Sequence, residues 1–272
     1  MPTNTRKATL KSTILAAALI AAAGSFATAA TTTTTETTKT TVADDLPTGK
    51  EVHDAYIEAL GGEDAIRKLE TRLTKGSFGI PQMGINAPLT IKQMTPAYNW
   101  FELEIPGFTK VTRGTDGEIA WELDAINGAR ILEGAELATT IRDAGLHYEL
   151  EPMEHYESLE TTGKETRKGE EVYVVVYTPK GEGEPETHYF SVESGLRVAT
   201  AATQPSPQGD VEAIQSYSDY REVDGVMIPF SLDIETSIGV NQSITIESVE
   251  HGVEMKKDDF APPAEVKALL DI

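Results

Sequence analysis

Residues 226–238 read Val-Met-Ile-Pro-Phe-Ser-Leu-Asp-Ile-Glu-Thr-Ser-Ile. Val226, Ile228, Phe230, Leu232, Ile234 and Ile238 are apolar, with Thr236 the exception in that series, and the residues between them are mostly not. A side-chain period of two over this length specifies a β-strand with one greasy face and one wet face. Asp224-Gly225, just before it, is a tight-turn pair.

The same period recurs on either side. Strands are expected over 72–80, 85–91, 98–105, 108–113, 119–123, 172–177, 187–192, 196–203, 211–222 and 240–249. Asp116-Gly117, Asn127-Gly128 and Glu193-Ser194-Gly195 supply turns between them. Residues 172–177 are apolar on both faces, which marks a central strand. Helices are few. Thr48 and Glu51 form a capping box ahead of Val52, Tyr56, Ile57 and Leu60 on one helical face. Short helical pieces are expected at 63–69 and 264–270, and one internal helix at 133–144, striped by Leu137 and Ile141 and stopped by Gly145. The fold class is mainly β (α+β): about ten or eleven strands in one antiparallel, strongly curved sheet, with a few helices covering its concave face.

Ahead of this domain, Arg6, Lys7 and Lys11 precede an apolar run from Ile14 to Ala23, and Ala27-Thr28-Ala29 is an A-x-A cleavage site. The run is shorter than the ~20 residues of a membrane span, so 1–29 is expected to be a cleavable signal peptide and the product periplasmic. Residues 30–45 are Thr-rich and are expected to be a disordered linker. The stretch 46–272 is long enough for one core. The chain has no Cys, which excludes disulfides, thiolate metal sites and lipid attachment through a Cys. Past residue 29 there are 20 basic residues against 44 acidic, a net charge of −24. Such a surface repels phosphate backbones and anionic headgroups, so neither nucleic acid nor stable membrane insertion is expected.

Chemical motifs are sparse. No two of the five His share a metal-ligand spacing, and there is no H-E-x-x-H. There is no G-x-S-x-G elbow, and Gly114-Thr115-Asp116-Gly117 reads as a hairpin turn rather than a phosphate cradle. No catalytic residue, metal or cofactor is expected. The remaining signal is apolar: Phe78, Ile80, Ile91, Trp100, Trp121, Leu123, Tyr189, Ile228, Phe230 and Leu232 are the candidates to line a cavity between sheet and helices. Each can equally be core that packs under the helices.

Six stretches together carry a family resemblance: 56–62 (YIEALGG), 74–78 (TKGSF), 116–122 (DGEIAWE), 128–134 (GARILEG), 189–196 (YFSVESGL) and 218–230 (SDYREVDGVMIPF). They resemble the bacterial outer-membrane lipoprotein-sorting proteins, relatives of the LolA-type periplasmic lipoprotein carrier and of mycobacterial lipid-binding lipoproteins. The resemblance spans about 46–263 and implies an unclosed antiparallel β-barrel with helices in its mouth. It also implies an apolar cavity that takes lipoprotein or lipid acyl chains, and it brings no enzymatic residues. On this reading the chain is a monomeric carrier or binding protein, with proteins of the inner and outer membranes as further partners. The alternative is an envelope scaffold or stress-sensor module that binds a protein partner and fills the space with its own helices.

Overall fold

A computed structural model describes residues 46–270, apart from 108, 126, 182 and 205–210. The signal peptide and Thr-rich linker expected over 1–45 lie outside the described residues.

Thr48 caps the first helix as expected. Its backbone N–H donates to Glu51 Oε2 at 2.7 Å, while the Glu51 N–H donates to Thr48 Oγ1. This reciprocal cap starts α1 (Gly49–Ala59), whose Val52, His53, Tyr56 and Ile57 are buried. A short α2 (Glu63–Ile66) follows. The chain then runs through six consecutive strands, β1 (Thr71–Ile80), β2 (Ile85–Met94), β3 (Tyr98–Ile105), β4 (Thr109–Thr115), β5 (Ala120–Asp124) and β6 (Gly128–Leu132). A crossing segment comes next, made of α3 (Gly134–Ala144), a 3-10 turn (Tyr148–Leu150) and α4 (Pro152–His155). Seven more strands complete the sheet: β7 (Tyr156–Arg167), β8 (Glu170–Pro179), β9 (Glu186–Ser191), β10 (Arg197–Gln204), β11 (Val211–Val223), β12 (Val226–Thr236) and β13 (Gln242–His251).

All 13 strands form one antiparallel sheet in the order β6-β5-β4-β3-β2-β1-β13-β12-β11-β10-β9-β8-β7. Two meanders are therefore joined through β1 and β13, the first and last strands. β6 and β7 are the two free edges, so the sheet is not closed into a barrel. The opening strand behaves as its sequence demands: Val226, Ile228, Phe230 and Ile234 are buried, and Asp233 and Glu235 are exposed. The hairpin turn before it has positive φ at both Asp224 (52°) and Gly225 (82°), the twist that a two-residue hairpin needs.

The two strands beyond the expected eleven are β6 and β7, the edges. β6 is only five residues long, and β7 is polar, largely exposed and broken by two register shifts. Short, charged, bulged edges discourage pairing with other chains, and the same properties erase the apolar alternation.

The concave face holds two apolar clusters. In one, Phe78, Leu89 and Leu103 of β1–β3 meet Ile234 and Ile244 of β12 and β13, so the sheet packs on itself. In the other, α1, Leu60, Ile66 and Leu69 pack against Tyr177, Phe190 and Ile228. The helices do not all lie on this face. Arg113 of β4 reaches Thr140 of α3 and so faces the crossing segment, whereas the cross-strand row Trp100, Gly114, Trp121 points the other way. On that second face a 3-10 turn (Lys257–Phe260) and α5 (Ala264–Lys267) bury Phe260 and Val266 against β3, β5 and β6. Trp121 lies directly over Gly114, where a β-carbon would sit 2.5 Å from its Cζ2.

Candidate functional site

The crossing segment and α1 do not fill the concave face. A cavity of about 330 Å³ remains between them and the sheet. One wall is apolar: Leu60, Ile66, Leu69, Ile91, Leu146, Val226, Ile228, Leu232 and Ile246 line it. The lining also carries Arg72, Arg142, Asp143, Glu149, Glu186, His188 and Arg197. The cavity is amphipathic, which the apolar expectation did not foresee.

Two ion clusters make up most of the polar wall. In the first, Arg197 Nη1 meets Glu149 Oε1 at 2.8 Å. Glu149 also accepts from the hydroxyls of Tyr148 at 2.8 Å and Tyr56 at 2.9 Å. His53 Nε2 lies 2.7 Å from the Glu149 carbonyl oxygen, and its Nδ1 lies 2.8 Å from the Tyr177 hydroxyl. Burial pushes the Glu149 carboxyl up, but Arg197 and the Tyr148 hydroxyl outweigh it, so its pKa ends below the usual carboxylate range. Arg197 is in place because of a register shift in β10 between Arg197 and Ala199, which lets Arg197 and Thr200 both line the cavity.

In the second cluster, Arg142 Nε holds Asp143 Oδ1 at 2.6 Å and Nη1 holds Glu186 Oε1 at 3.1 Å. Glu186 Oε2 takes further hydrogen bonds from the Tyr156 hydroxyl and His188 Nε2, both at 3.1 Å. Although burial opposes it, these partners hold Glu186 ionised, with its pKa lowered to about 2. Burial raises the pKa of Asp143, and the shared Arg142 guanidinium, helped weakly by Arg113, does not reverse it. Burial also lowers the pKa of His188, so it is neutral at pH 7. A neutral imidazole that donates to Glu186 carries its proton on Nε2, and its Nδ1 has no partner among the described residues.

The sequence candidates separate into three places. Ile91, Ile228 and Leu232 line the cavity together. Phe78 and Ile80 are fully buried in the sheet-on-sheet cluster, and Phe230 lies in the helix-side cluster with the Arg221 guanidinium 4.4 Å above its ring. None of these three lines the cavity. Trp100, Trp121, Leu123 and Tyr189 lie on the other face of the sheet. Trp100 and Trp121 make an edge-to-face pair with centroids 5.1 Å apart. Trp100 and Leu123 border a separate hollow of about 400 Å³ beside Pro263. Tyr189 alternates with the inward His188 and Phe190, and its ring lies 4.0 Å from the Arg167 guanidinium.

Sequence reasoning missed the charged wall. A signal for two members was present: Arg72, Thr74, Phe78 and Ile80 share a phase on β1, so extending the buried face of Phe78 backwards reaches Arg72. Glu186 likewise shares the phase of His188 and Phe190 on β9, whereas Glu149 carries no such mark among 44 acidic residues. Among the described residues no group of three or more His, Cys, Asp or Glu is placed to hold a metal ion. No helix among them is long and apolar enough to cross a membrane.

No family model and no curated protein sequence matches the chain. Solved structures do. A DUF1329 family protein from Desulfovibrio piger matches with a TM-score of 0.55 at 13% identity, covering 79% of this chain and 98% of that one. A putative outer membrane lipoprotein-sorting protein domain from Vibrio parahaemolyticus matches with 0.54 at 8% identity, covering 82% and 100%. A LolA superfamily protein from Nitrosomonas europaea matches with 0.55 at 10% identity, covering 80% and 99%. The chain thus has the fold of LolA superfamily and lipoprotein-sorting structures, the family that its sequence resembles.

Proposed function

We propose that this protein is an exported carrier or binding protein for acyl chains of lipoproteins or lipids, acting by non-covalent binding in the cavity between sheet and helices. The observation that carries this reading is the unfilled space whose apolar wall is formed by Leu60, Leu69, Ile91, Ile228 and Leu232. Packed protein interiors leave few voids larger than a water molecule. A cavity of about 330 Å³ with such a wall therefore invites an apolar occupant. Each methylene transferred from water into it gains about 0.8 kcal/mol, less the cost of ordering the chain. The likeness to lipoprotein-sorting structures supports the same reading at the level of fold.

Native mass spectrometry of protein purified from the periplasm tests it, together with titration of a fluorescent fatty acid. Co-purified lipid or saturable probe binding is expected. A protein that carries no lipid and binds no probe contradicts the proposal.

A further inference from the structure

Three guanidinium groups line the cavity, and they are not equivalent. Arg142 is held by Asp143 and Glu186, and Arg197 by Glu149. Arg72 forms no ion pair among the described residues. Its one hydrogen-bonding partner is the Gln93 side chain, whose Oε1 accepts from both Nε and Nη2. Gln93 is itself fixed, because its Nε2 donates to the Ala144 carbonyl at 3.3 Å. The Nε edge of the guanidinium is thus locked by a neutral acceptor. Of its five N–H groups, the two on Nη1 and one on Nη2 have no partner among the described residues.

A partly buried cation without a counter-charge is costly. Burial accordingly lowers the Arg72 pKa, although Tyr148 and Glu149 partly offset it. Glu149 acts on it only at longer range: it makes no ion pair with Arg72 and is already engaged by Arg197, Tyr148 and Tyr56. The free edge presents two parallel donors, the geometry that matches an oxyanion. Arg72 also borders the same cavity as the apolar Leu69, Ile91 and Leu232.

We propose that Arg72 is the head-group anchor of the cavity and that the ligand is a single-chain anionic amphiphile, with its carboxylate or phosphate on the Nη1–Nη2 edge of Arg72 and its alkyl chain along the wall of Leu69, Ile91 and Leu232. The proposal rests on the acyl-binding reading and narrows it from any acyl chain to one that ends in an oxyanion. The cavity volume, at the small end of ligand sites, suits one chain.

The test compares dodecanoate, dodecyl phosphate and methyl dodecanoate by calorimetric titration of the purified protein. At least one oxyanion is expected to bind about tenfold or more tightly than the neutral ester. The stronger of the two identifies the head as a fatty carboxylate or a phosphate. Arg72→Met is expected to abolish the preference while leaving ester binding in place. Gln93→Glu supplies an internal carboxylate to the guanidinium and is expected to do the same without removing the cation, so the attribution does not hang on one variant's folding. Equal binding of the three probes, or a preference that survives in a folded Arg72→Met or Gln93→Glu protein, overturns the anchor and leaves the acyl-binding reading standing. Failure of all three probes to bind overturns both.

Discussion

Glu149, on the 3-10 turn of the crossing segment, and Arg197, on β10, meet at 2.8 Å inside the domain. Two tyrosine hydroxyls from α1 and the turn converge on the same carboxylate. One side chain therefore ties the crossing segment to α1 and to the sheet at once. Glu149→Ala strands Arg197 as an unpaired buried charge and is expected to cost about 3–5 kcal/mol. Urea unfolding followed by circular dichroism measures this, and a loss below about 1 kcal/mol excludes the role given to Glu149.

Stability should fall as the solution is acidified. The pKa values of Glu186 (about 2) and Glu149 lie below the ordinary 4.5 in the folded state. Their contribution is complete above about 4.5 and is lost as pH falls toward 2. His53 and His188 are held neutral by burial, below the ordinary 6.5. The unfolded chain takes up those protons first, so the decline begins near pH 6.5. Asp143 has the opposite sign, since its raised pKa lets the folded state bind a proton earlier and return part of the loss. The urea midpoint is expected to be level between about pH 7 and 9 and to drop steadily below pH 7. A midpoint that holds or rises between pH 7 and 4 contradicts the assigned charge states.

The two faces of the sheet should respond differently to mutation. Leu232→Trp places an indole in the cavity and is expected to weaken dodecanoate binding by roughly tenfold. Trp100→Ala, on the other face, is expected to leave that affinity within about twofold. Titration of both variants decides it, and the reverse ranking moves the binding site to the hollow beside Pro263.

Gly114 has no room for a side chain beneath Trp121. Gly114→Ala is expected to destabilise the domain by about 1–3 kcal/mol, because the indole must shift within a packed layer. Trp100 and Trp121 are the only tryptophans, so the shift registers directly in intrinsic fluorescence. An unchanged emission maximum and unfolding midpoint would show that the layer is looser than its geometry.

The sheet was legible in the sequence wherever one face is buried and the other wetted, as in β12. Legibility failed at the edges, where protection against mispairing replaces alternation with charge, Gly163 and bulges. Side-chain phase was ambiguous where neighbouring residues are both apolar. Trp100 and Phe101 read alike as strand aromatics, yet one faces the C-terminal segment and the other the concave core. The cavity's polar wall was hidden for a different reason. Arg197 points inward only because of a one-residue register shift, and Glu149 is buried by contacts with residues far along the chain. Neither cause leaves a periodic trace.

The placement of β13 beside β1 also governs how the domain comes together. Each meander is built from neighbours in the chain and can zip from its own hairpins, but Arg72 must wait for His251 before the middle of the sheet exists. The midline of the molecule is therefore its last seam. Trimming the chain back past Gln242 would remove a central plank rather than fray a border, leaving two half-sheets with unpaired edges facing each other.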